Sequence, residues 1–304
     1  MKNILNFGSI NIDSVYEVPK FVTSGETISS YSLEVFPGGK GLNQSIAISR
    51  AGGKVAHAGL IGADGEFLLR LLSKNKVDIE NIHINEKKHT GTAVIQLNSN
   101  KENCIIVHGG TNRLIDRSLV YEVLCKYQKN DWLLLQNEIS CMPYIIEMAA
   151  AKGMKIALNP SPADSSLFDI DLDKVDLFIL NEHEAKFLCD SEYMPKKLIK
   201  TINKMFPKSD VVLTLGSHGA MMTSEGSLFY QPAYRVKTVD TTAAGDTFTG
   251  YLMSGLLAKK DINETLKNAS IAAALAVSRK GAAPSIPTID EVLKVNLRGD
   301  FLLE

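Results

Sequence analysis

The sequence predicts a three-layer α/β/α fold with a mostly parallel central sheet and a small second sheet. Short β-rich apolar runs alternate with segments of helical periodicity, which is the pattern of successive βαβ units. These runs are apolar throughout, as buried parallel strands are, whereas two other regions are apolar only at every second position. No linker rich in Pro, Gly or Ser interrupts the chain, so we expect residues 1–304 to form a single domain.

Six apolar runs are the predicted strands of the central sheet. They occupy residues 4–7, 55–60, 132–135, 155–158, 177–180 and 211–215. Helical segments lie between them, and their apolar residues recur at the spacing of one helix face. Two such stripes are Met142, Ile145, Ile146 and Ala149, and Leu266, Ala269, Ala273 and Ala276.

Two regions, roughly residues 14–36 and 90–108, have the period of two that is typical of half-buried strands. Leu33 and Val35 alternate with polar residues in the first region, and Ile95 and Leu97 occupy alternate positions in the second. We predict a small sheet that projects as a lid, whose apolar face needs a partner, most simply a second copy of the chain. The alternative is that these strands extend the edges of the central sheet.

The composition favours a globular protein that binds a small ligand. Hydrophobic residues make up 45% and charged residues 22%, and the formal net charge is -1. Without a block of Lys or Arg, a nucleic-acid or membrane-surface partner is disfavoured. The cysteines lack C-x-x-C spacing and fall in apolar runs, so we expect reduced thiols in the core. They are Cys104, Cys125, Cys141 and Cys189.

The N-terminal apolar run is too short for a signal peptide, and no run approaches the roughly 20 apolar residues of a membrane span. We therefore predict a cytoplasmic protein.

One segment joins a strand-like run to a helix that extends from residue 246 to about residue 259. Its residues are small enough to admit an anion, and the free amides of Ala244, Gly245 and Asp246 would lie at the positive end of the helix dipole. A carboxylate in such a place suits a base that takes a proton from a hydroxyl attacking phosphorus. The alternative is that Asp246 merely caps the helix. The segment is Val239-Asp240-Thr241-Thr242-Ala243-Ala244-Gly245-Asp246-Thr247-Phe248.

A second glycine cluster also opens a helix and would let backbone approach a ligand closely. It is Pro37-Gly38-Gly39-Lys40-Gly41-Leu42-Asn43-Gln44. Neither the P-loop motif nor the dinucleotide fingerprint occurs, and protein-kinase motifs are absent from the sequence. The six histidines show no metal-ligand spacing.

Polar residues follow several of the predicted strands, at the edge where open α/β sheets bind ligands. Asn11 and Asp13 follow the first strand, and Glu138 and Asn181 follow two others. Each one taken alone fits a helix cap or an ordinary loop residue equally well. Together they favour a site that binds a polyol.

The two glycine-containing segments resemble the paired motifs of the ribokinase-like carbohydrate kinase family. Further blocks resemble the same family in the same order, so the similarity spans nearly the whole chain. These blocks are residues 8–13, 157–162, 181–185, 214–217 and 279–285.

The resemblance implies ATP-dependent phosphorylation of D-ribose at its 5-hydroxyl by a homodimer, with Asp246 as the catalytic base. By the same match, the sugar would be held by Asn11, Asp13, Gly39, Lys40, Asn43, Glu138 and Asp246. The nucleotide site would be formed by Asn181, Glu184, Thr214, Gly216, Gly219, Ala244, Gly245 and Ser270. Glu184 would also help to place Mg²⁺ through water. An activating K⁺ ion would bind, largely through backbone carbonyls, at Asp240, Thr242, Ala276, Arg279, Gly281 and Ser285.

Two positions depart from the family pattern. Ala243 replaces a common glycine, which is tolerable if its φ is not positive. Ser270 is smaller than the usual residue near the adenine. Two alternatives stay open: a kinase for another sugar or a nucleoside, such as 2-deoxyribose, fructose or adenosine, and a non-catalytic sugar-binding protein on the same fold.

Overall fold

The computed structural model describes residues 4–100, 102–192 and 194–298. Within these ranges the strands are β1 Ile4–Phe7, β2 Asn11–Glu17, β3 Ser32–Gly38, β4 Val55–Gly62, β5 Asp78–Asn85, β6 Gly91–Leu97, β7 Asn103–His108, β8 Trp132–Gln136, β9 Lys155–Asn159, β10 Leu177–Asn181, β11 Asp210–Thr214, β12 Ala220–Ser224 and β13 Ser227–Gln231. The α-helices are α1 Lys40–Arg50, α2 Glu66–Lys74, α3 Arg117–Leu124, α4 Met142–Ala151, α5 Glu182–Cys189, α6 Pro195–Met205, α7 Ala244–Leu257, α8 Ile262–Val277 and α9 Ile289–Arg298.

The central sheet has nine strands in the order β13-β12-β11-β10-β9-β8-β1-β4-β5. From β11 to β5 all neighbours run parallel, and the hairpin of β12 and β13 adds an antiparallel edge. Alternate strand residues pack on opposite faces, for example Leu133 and Leu135 against one cluster and Leu134 against the other. Helices α3 to α6 cover the first face, and α1, α2, α7, α8 and α9 cover the second. The predicted α/β/α layering is therefore confirmed.

All six predicted strands of the central sheet are present within two residues of their expected ends. Three strands, β5, β12 and β13, lie outside the predicted set. The side chains of the two edge strands, β5 and β13, are only partly buried, so these strands lack the continuous apolar run of a central strand, whereas β12 between β11 and β13 is mostly buried. Glu225 and Gly226, both at positive φ, form the tight turn of the β12–β13 hairpin.

The second sheet is separate and has four strands in the order β3-β2-β6-β7. It confirms the predicted lid strands, and the alternative of extended central-sheet edges is wrong. Strands β2 and β6 pair in parallel, while the two outer pairs are antiparallel. The lid begins earlier than expected: β2 starts at Asn11, so Asn11 and Asp13 lie on a lid strand and not in a loop after β1. The difference arises because β2 hydrogen-bonds to strands that are distant in the sequence.

One face of the lid sheet is apolar and exposed. The pairing register places Val35 and Val94 on either side of Ser14, and Ile106 beside Val94. All three apolar side chains are exposed to solvent. This row gives the lid the unpartnered apolar face that the sequence pattern indicates.

The four cysteines are free, but their expected place in the core is wrong. Cys104 and Cys125 are exposed, and Cys141 and Cys189 are half-buried. Cys104 lies on β7, whose apolar side chains are all exposed, so an apolar run did not mean burial there. Of the helices that the structure describes, none combines the length and hydropathy needed to cross a bilayer.

Candidate active site

A cleft lies at the carboxyl ends of β9, β10 and β11, where α5 and α7 begin. The last residue of each of these strands, Asn159, Asn181 and Thr214, lines it. The other lining residues are Lys40, Ser161, Ile179, Leu180, Glu184, Thr241, Ala243, Ala244, Gly245, Asp246 and Thr249. The cleft therefore brings the first turn of α7 together with residues expected to hold a nucleotide.

Asp246 lies in the first turn of α7 and is buried. Its carboxylate accepts hydrogen bonds from Asn43 Nδ2 at 3.1 Å and from Gln44 Nε2 at 2.9 Å. Among the described residues no side chain caps α7, so the alternative that Asp246 is simply its cap is wrong. The carboxylate is instead held by Asn43 and Gln44 of α1, and Asp246 lines the cleft.

The beginning of α7 is open to a ligand. A Cβ on Gly245 would meet no atom within 4 Å, so this position faces free space. The first amides of a helix have no intrahelical acceptor, which leaves this end of α7 suited to an anion. The Ala244 amide is less free than expected, because it donates to the Thr241 carbonyl at 3.3 Å. The condition under which an alanine at position 243 would be free of strain is not met: the φ of Ala243 is 59°, in the left-handed region.

Helix α1 begins at the glycine cluster, where two close approaches explain the glycines. A Cβ on Gly38 would lie 2.1 Å from Asp13 Oδ2, and one on Gly39 would lie 2.9 Å from the Ser9 carbonyl oxygen. Gly39 also has a φ of 90°. These glycines therefore let the end of β3 and the start of α1 pack closely against Asp13 on β2 and against the backbone of Ser9.

The residues expected to bind the sugar are held by neighbours that the sequence did not identify. Ser9 Oγ donates to Glu138 Oε2, which also accepts from the Lys40 amide at 3.1 Å. Asn112 Nδ2 donates to Asn11 Oδ1 at 2.7 Å, so the NH₂ group of Asn11 is directed elsewhere. In both cases hydrogen bonds from neighbouring residues fix the orientation of the side chain.

Two buried acceptors at this site lack any hydrogen-bond donor within the described ranges. They are Asp13 Oδ1 and Asn43 Oδ1. A buried acceptor without a donor is unfavourable by about 1–3 kcal/mol, and a ligand hydroxyl would satisfy it. The pair therefore indicates a ligand that carries hydroxyl groups.

Four carboxylates and one ammonium group shape the electrostatics. Burial, together with the charges of Glu138 and Asp246, raises the pKa of Asp13 to about 7. Burial also raises the pKa of Glu138, against the lowering effect of Lys40. Burial alone would lower the pKa of Lys40, but the nearby carboxylates, including Glu184, outweigh this and raise it. Lys40 therefore retains its positive charge beside these carboxylates.

Helix α5 begins with a capping box. Asn181 Oδ1 accepts from the Glu184 amide, while Glu184 Oε2 accepts from the Asn181 amide, both at 2.9 Å. Glu184 Oε1 also accepts from Asn181 Nδ2 at 2.9 Å. The carboxylate is thus buried, fixed in orientation and exposed to the cleft along one side.

Three residues expected at the nucleotide do not line this cleft. Gly216 and Gly219 lie in the turn after β11, and Ser270 lies on the buried face of α8. A Cβ on Gly219 would lie 2.1 Å from the Gln231 carbonyl oxygen, so this glycine is explained by backbone packing. Within the described ranges Ser270 Oγ has no hydrogen-bond partner.

The residues expected at the cation loop come together in part. Asp240 Oδ1 accepts from the Thr242 amide at 2.9 Å, and its Oδ2 accepts from the Gly281 amide at 2.9 Å. These hydrogen bonds outweigh the effect of burial and lower the pKa of Asp240. The Arg279 guanidinium pairs with Glu291 at 2.6 Å.

The other residues of the expected cation loop would contribute backbone carbonyl groups. Ala276 lies in the last turn of α8, and its carbonyl oxygen accepts from the Arg279 amide at 3.1 Å, while Ser285 is fully buried in the turn that follows the helix. In the part of the chain that the structure describes, no three His, Cys, Asp or Glu side chains are grouped to hold a metal ion. Any cation here would therefore depend on backbone carbonyls.

Comparison with known proteins gives a consistent result. Residues 1–289 match the family described as pfkB family carbohydrate kinase. The chain is 34% identical to a ribokinase of Haemophilus influenzae over 300 residues, covering 96% of this chain and 98% of that protein. It is 32% identical to a ribokinase of Lactococcus lactis over 311 residues, covering 98% and 100%.

Solved structures agree with the sequence relatives. The Arabidopsis thaliana ribokinase complexed with ribose and ATP is 28% identical, with a TM-score of 0.85 over 97% of this chain and 98% of that one. The Cryptococcus neoformans ribokinase in complex with ADP is 31% identical, with a TM-score of 0.84 over 97% and 99%. The match extends over both sheets and the cleft between α5 and α7, and this chain belongs to the pfkB family of carbohydrate kinases.

Proposed function

We propose that this kinase transfers the γ-phosphoryl group of ATP to the 5-hydroxyl of D-ribose, with Asp246 as the general base. The observation that carries the proposal is the buried Asp246 carboxylate at the open beginning of α7, fixed by Asn43 and Gln44. Relatives named ribokinase match nearly the whole chain, and one related structure holds ribose and ATP. A carboxylate beside free helix amides can accept a hydroxyl proton while the amides stabilise the phosphoryl oxygens.

The sugar would lie between the lid and the beginning of α1. Asp13 and Asn43 each contribute a buried acceptor for a hydroxyl group, and Asn11 contributes its NH₂ group. Glu138 holds the Lys40 amide and thereby the glycine turn of Gly39. This arrangement would orient the sugar so that one hydroxyl reaches Asp246.

The nucleotide would lie in the cleft, with its phosphates between Lys40 and the first turn of α7. Magnesium, when bound, would neutralise part of the phosphate charge. The fixed Glu184 carboxylate fits such an ion through its water shell, because both of its oxygens already accept from Asn181. Thr214 would lie near the nucleotide, while Gly216, Gly219 and Ser270 lie outside the lining of the cleft.

A potassium ion would bind at the loop formed by Asp240, Thr242, Ala276, Arg279, Gly281 and Ser285. This loop leads directly into the beginning of α7, so an ion there would order the amides that face the phosphate. Equal rates in potassium and in sodium-only buffer would remove this part of the proposal.

We also infer a homodimer that covers the exposed row of Val35, Val94 and Ile106 on the lid. An apolar row of this kind is stabilised when it is buried against a second copy. Sedimentation velocity would detect the dimer, and Ile106→Lys would dissociate it. A cytoplasmic location stays a prediction, and it suits an enzyme that uses ATP.

A coupled ADP-release assay tests the reaction directly. We expect D-ribose to give the highest kcat/KM in a panel with 2-deoxyribose, fructose and adenosine, run with ATP and with GTP. The panel includes 2-deoxyribose because a deoxyribokinase of Salmonella typhimurium is 26% identical over 299 residues. A higher kcat/KM for another acceptor would reassign the substrate, and no sugar-dependent ADP release would leave only a binding protein.

A further inference from the structure

We propose that Gln44 is a positioning residue for Asp246, locked in one orientation by a directional chain of buried hydrogen bonds that runs from His57 through Gln136. The inference rests on the proposed role of Asp246 as general base. The chain consists of Asn6 on β1, Gln44 and Ser45 on α1, His57 on β4 and Gln136 on β8. All five of these residues are fully buried.

The first contact to establish is that of Gln44 with the carboxylate. Gln44 Nε2 donates to Asp246 Oδ1 at 2.9 Å and to Asn159 Oδ1 at 3.1 Å. Its other terminal atom, Oε1, accepts from Gln136 Nε2 at 2.7 Å. If the Gln44 amide were turned over, its oxygen would face the Asp246 carboxylate and the hydrogen bond would become a repulsion.

The orientation is determined from the distant end of the chain by His57. Burial lowers the pKa of His57 to about 4, so the ring is neutral near pH 7 and carries one proton. His57 Nε2 lies 3.2 Å from the Gly8 carbonyl oxygen, which can only accept, so the proton is on Nε2. His57 Nδ1 is then an acceptor, and Ser45 Oγ donates to it at 2.8 Å.

From His57 onward, each hydrogen bond fixes which atom donates and which accepts in the next one. Because Ser45 donates to His57, it accepts from Asn6 Nδ2 at 2.8 Å. The same Asn6 NH₂ group donates to the Gly41 carbonyl oxygen at 2.8 Å, which agrees with this assignment. Asn6 Oδ1 must therefore accept, and Gln136 Nε2 donates to it at 3.0 Å. Gln136 thus directs its NH₂ group at both Asn6 and Gln44.

The near end of the chain gives the same answer independently. Asn159 Nδ2 donates to the Ile179 carbonyl oxygen at 2.9 Å, so Asn159 directs its oxygen at Gln44. Gln44 must meet that oxygen with its NH₂ group. Backbone carbonyls at both ends therefore require the orientation in which Gln44 donates to Asp246.

Packing also confines Gln136. A Cβ on Gly8 would lie 2.3 Å from Gln136 Oε1, so the residue that follows β1 packs directly against this amide. Gln136 Oε1 has no donor in the part of the chain that the structure describes, although it is buried. The hydrogen-bond network thus leaves one buried oxygen without a donor. This is consistent with a requirement for the Gln136 NH₂ group at this place.

Gln44→Met tests the proposal, since methionine keeps the length of the side chain and removes both polar ends. We expect kcat to fall about tenfold to a hundredfold, as for a small displacement of a catalytic group, with the KM for the sugar changed only a few-fold. The acid limb of the kcat–pH profile should shift as well, which a purely structural role of Gln44 would not produce.

Gln136→Met tests the chain without altering any atom in contact with Asp246, and it keeps the proposal testable if Gln44→Met does not fold. It frees Gln44 to turn over, so we expect the same direction of change in kcat and in the pH profile, with a smaller magnitude. Asn81→Leu is the matched control. Asn81 is a buried amide at the sheet edge that donates to Tyr127 at 3.2 Å, far from Asp246 in the sheet order.

The outcomes separate the two levels of inference. The control should lower the unfolding temperature without moving the acid limb. If folded Gln44→Met and Gln136→Met both retain kcat and the pH profile while Asp246→Asn is inactive, the positioning role is wrong and the general base stands. If Asp246→Asn retains turnover, the base assignment fails, and the positioning role fails with it.

Discussion

Helices α5 and α7 begin at the same cleft, and their first turns are built in opposite ways. Helix α5 closes its own end with the reciprocal hydrogen bonds of Asn181 and Glu184. Helix α7 begins after Ala243, and within the described residues no side chain caps it. Both solutions are local, since each is decided by the four residues around the helix start.

Because of this difference, the beginnings of α7 and α5 attract ligands of opposite charge. The open amides of α7 attract an anion. The α5 end has used its capping donors internally and presents the Glu184 carboxylate, which attracts a cation. A nucleotide with its metal ion carries both charges, so one end suits the phosphate and the other suits the metal with its water shell.

Of these variants, Asp246→Asn should cause the largest loss of activity, through its effect at the beginning of α7. Asparagine keeps the shape but cannot accept the hydroxyl proton, so we expect kcat to fall about 10³-fold. Sugar binding, measured by calorimetry without ATP, should persist. The matched control is Asp261→Asn at the capped beginning of α8, which should leave kcat unchanged. Turnover within a few-fold of the parent enzyme would show that Asp246 is not the base.

Glu184→Gln should weaken the α5 end in a different way. Glutamine retains the volume and one acceptor but not the charge, so we expect the magnesium concentration for half-maximal rate to rise about tenfold. High magnesium should restore most of kcat. Asp116→Asn, at the capped beginning of α3, should leave the magnesium dependence unchanged. An unaltered magnesium dependence in Glu184→Gln would separate this carboxylate from the metal.

The beginning of α1 extends the comparison to the sugar. The pKa of Asp13 is raised to about 7, so this carboxyl is largely protonated at pH 6 and largely ionised at pH 8. An ionised carboxylate accepts stronger hydrogen bonds from hydroxyl groups. Sugar affinity should therefore rise a few-fold from pH 6 to pH 8 when measured by calorimetry. Asp13→Asn should bind more weakly and lose this dependence, and an equal pH dependence in the variant would assign it to another group.

Ala243→Gly should have the smallest effect. Relief of the left-handed backbone at this position should raise the free energy of unfolding by about 0.5–1 kcal/mol. Lys76→Gly, at a φ of 60° in an exposed turn, is the matched control and should gain a similar amount. A rate change in Ala243→Gly that exceeds a few-fold would show that the strained alanine also sets the position of the α7 amides.

The central strands were predictable because their signal is local. A continuous apolar run such as that of β8 identifies a strand buried on both faces, whatever its neighbours are. The start of β2 at Asn11 was not predictable, because the residues that pair with it lie far along the chain. Strand β13 was missed because its partly exposed side chains resemble those of a loop.

The site shows the same limit. Asp246 and Asn43 could be identified from motifs that are contiguous in the sequence. Gln136 could not, because its partners Gln44 and Asn6 lie 92 and 130 positions away. Asn112, which holds Asn11, also carries no local signal. Gly219 was expected at the nucleotide from the family resemblance, yet its packing against Gln231 explains it without a ligand.

Strand β2 carries Asn11 and Asp13 and is also one of the two inner strands of the lid. The lid that would enclose the sugar would therefore also form hydrogen bonds with its hydroxyl groups. A sugar with a different pattern of hydroxyl groups would form fewer hydrogen bonds with the lid. The lid itself would then discriminate between sugars, before any phosphate is transferred.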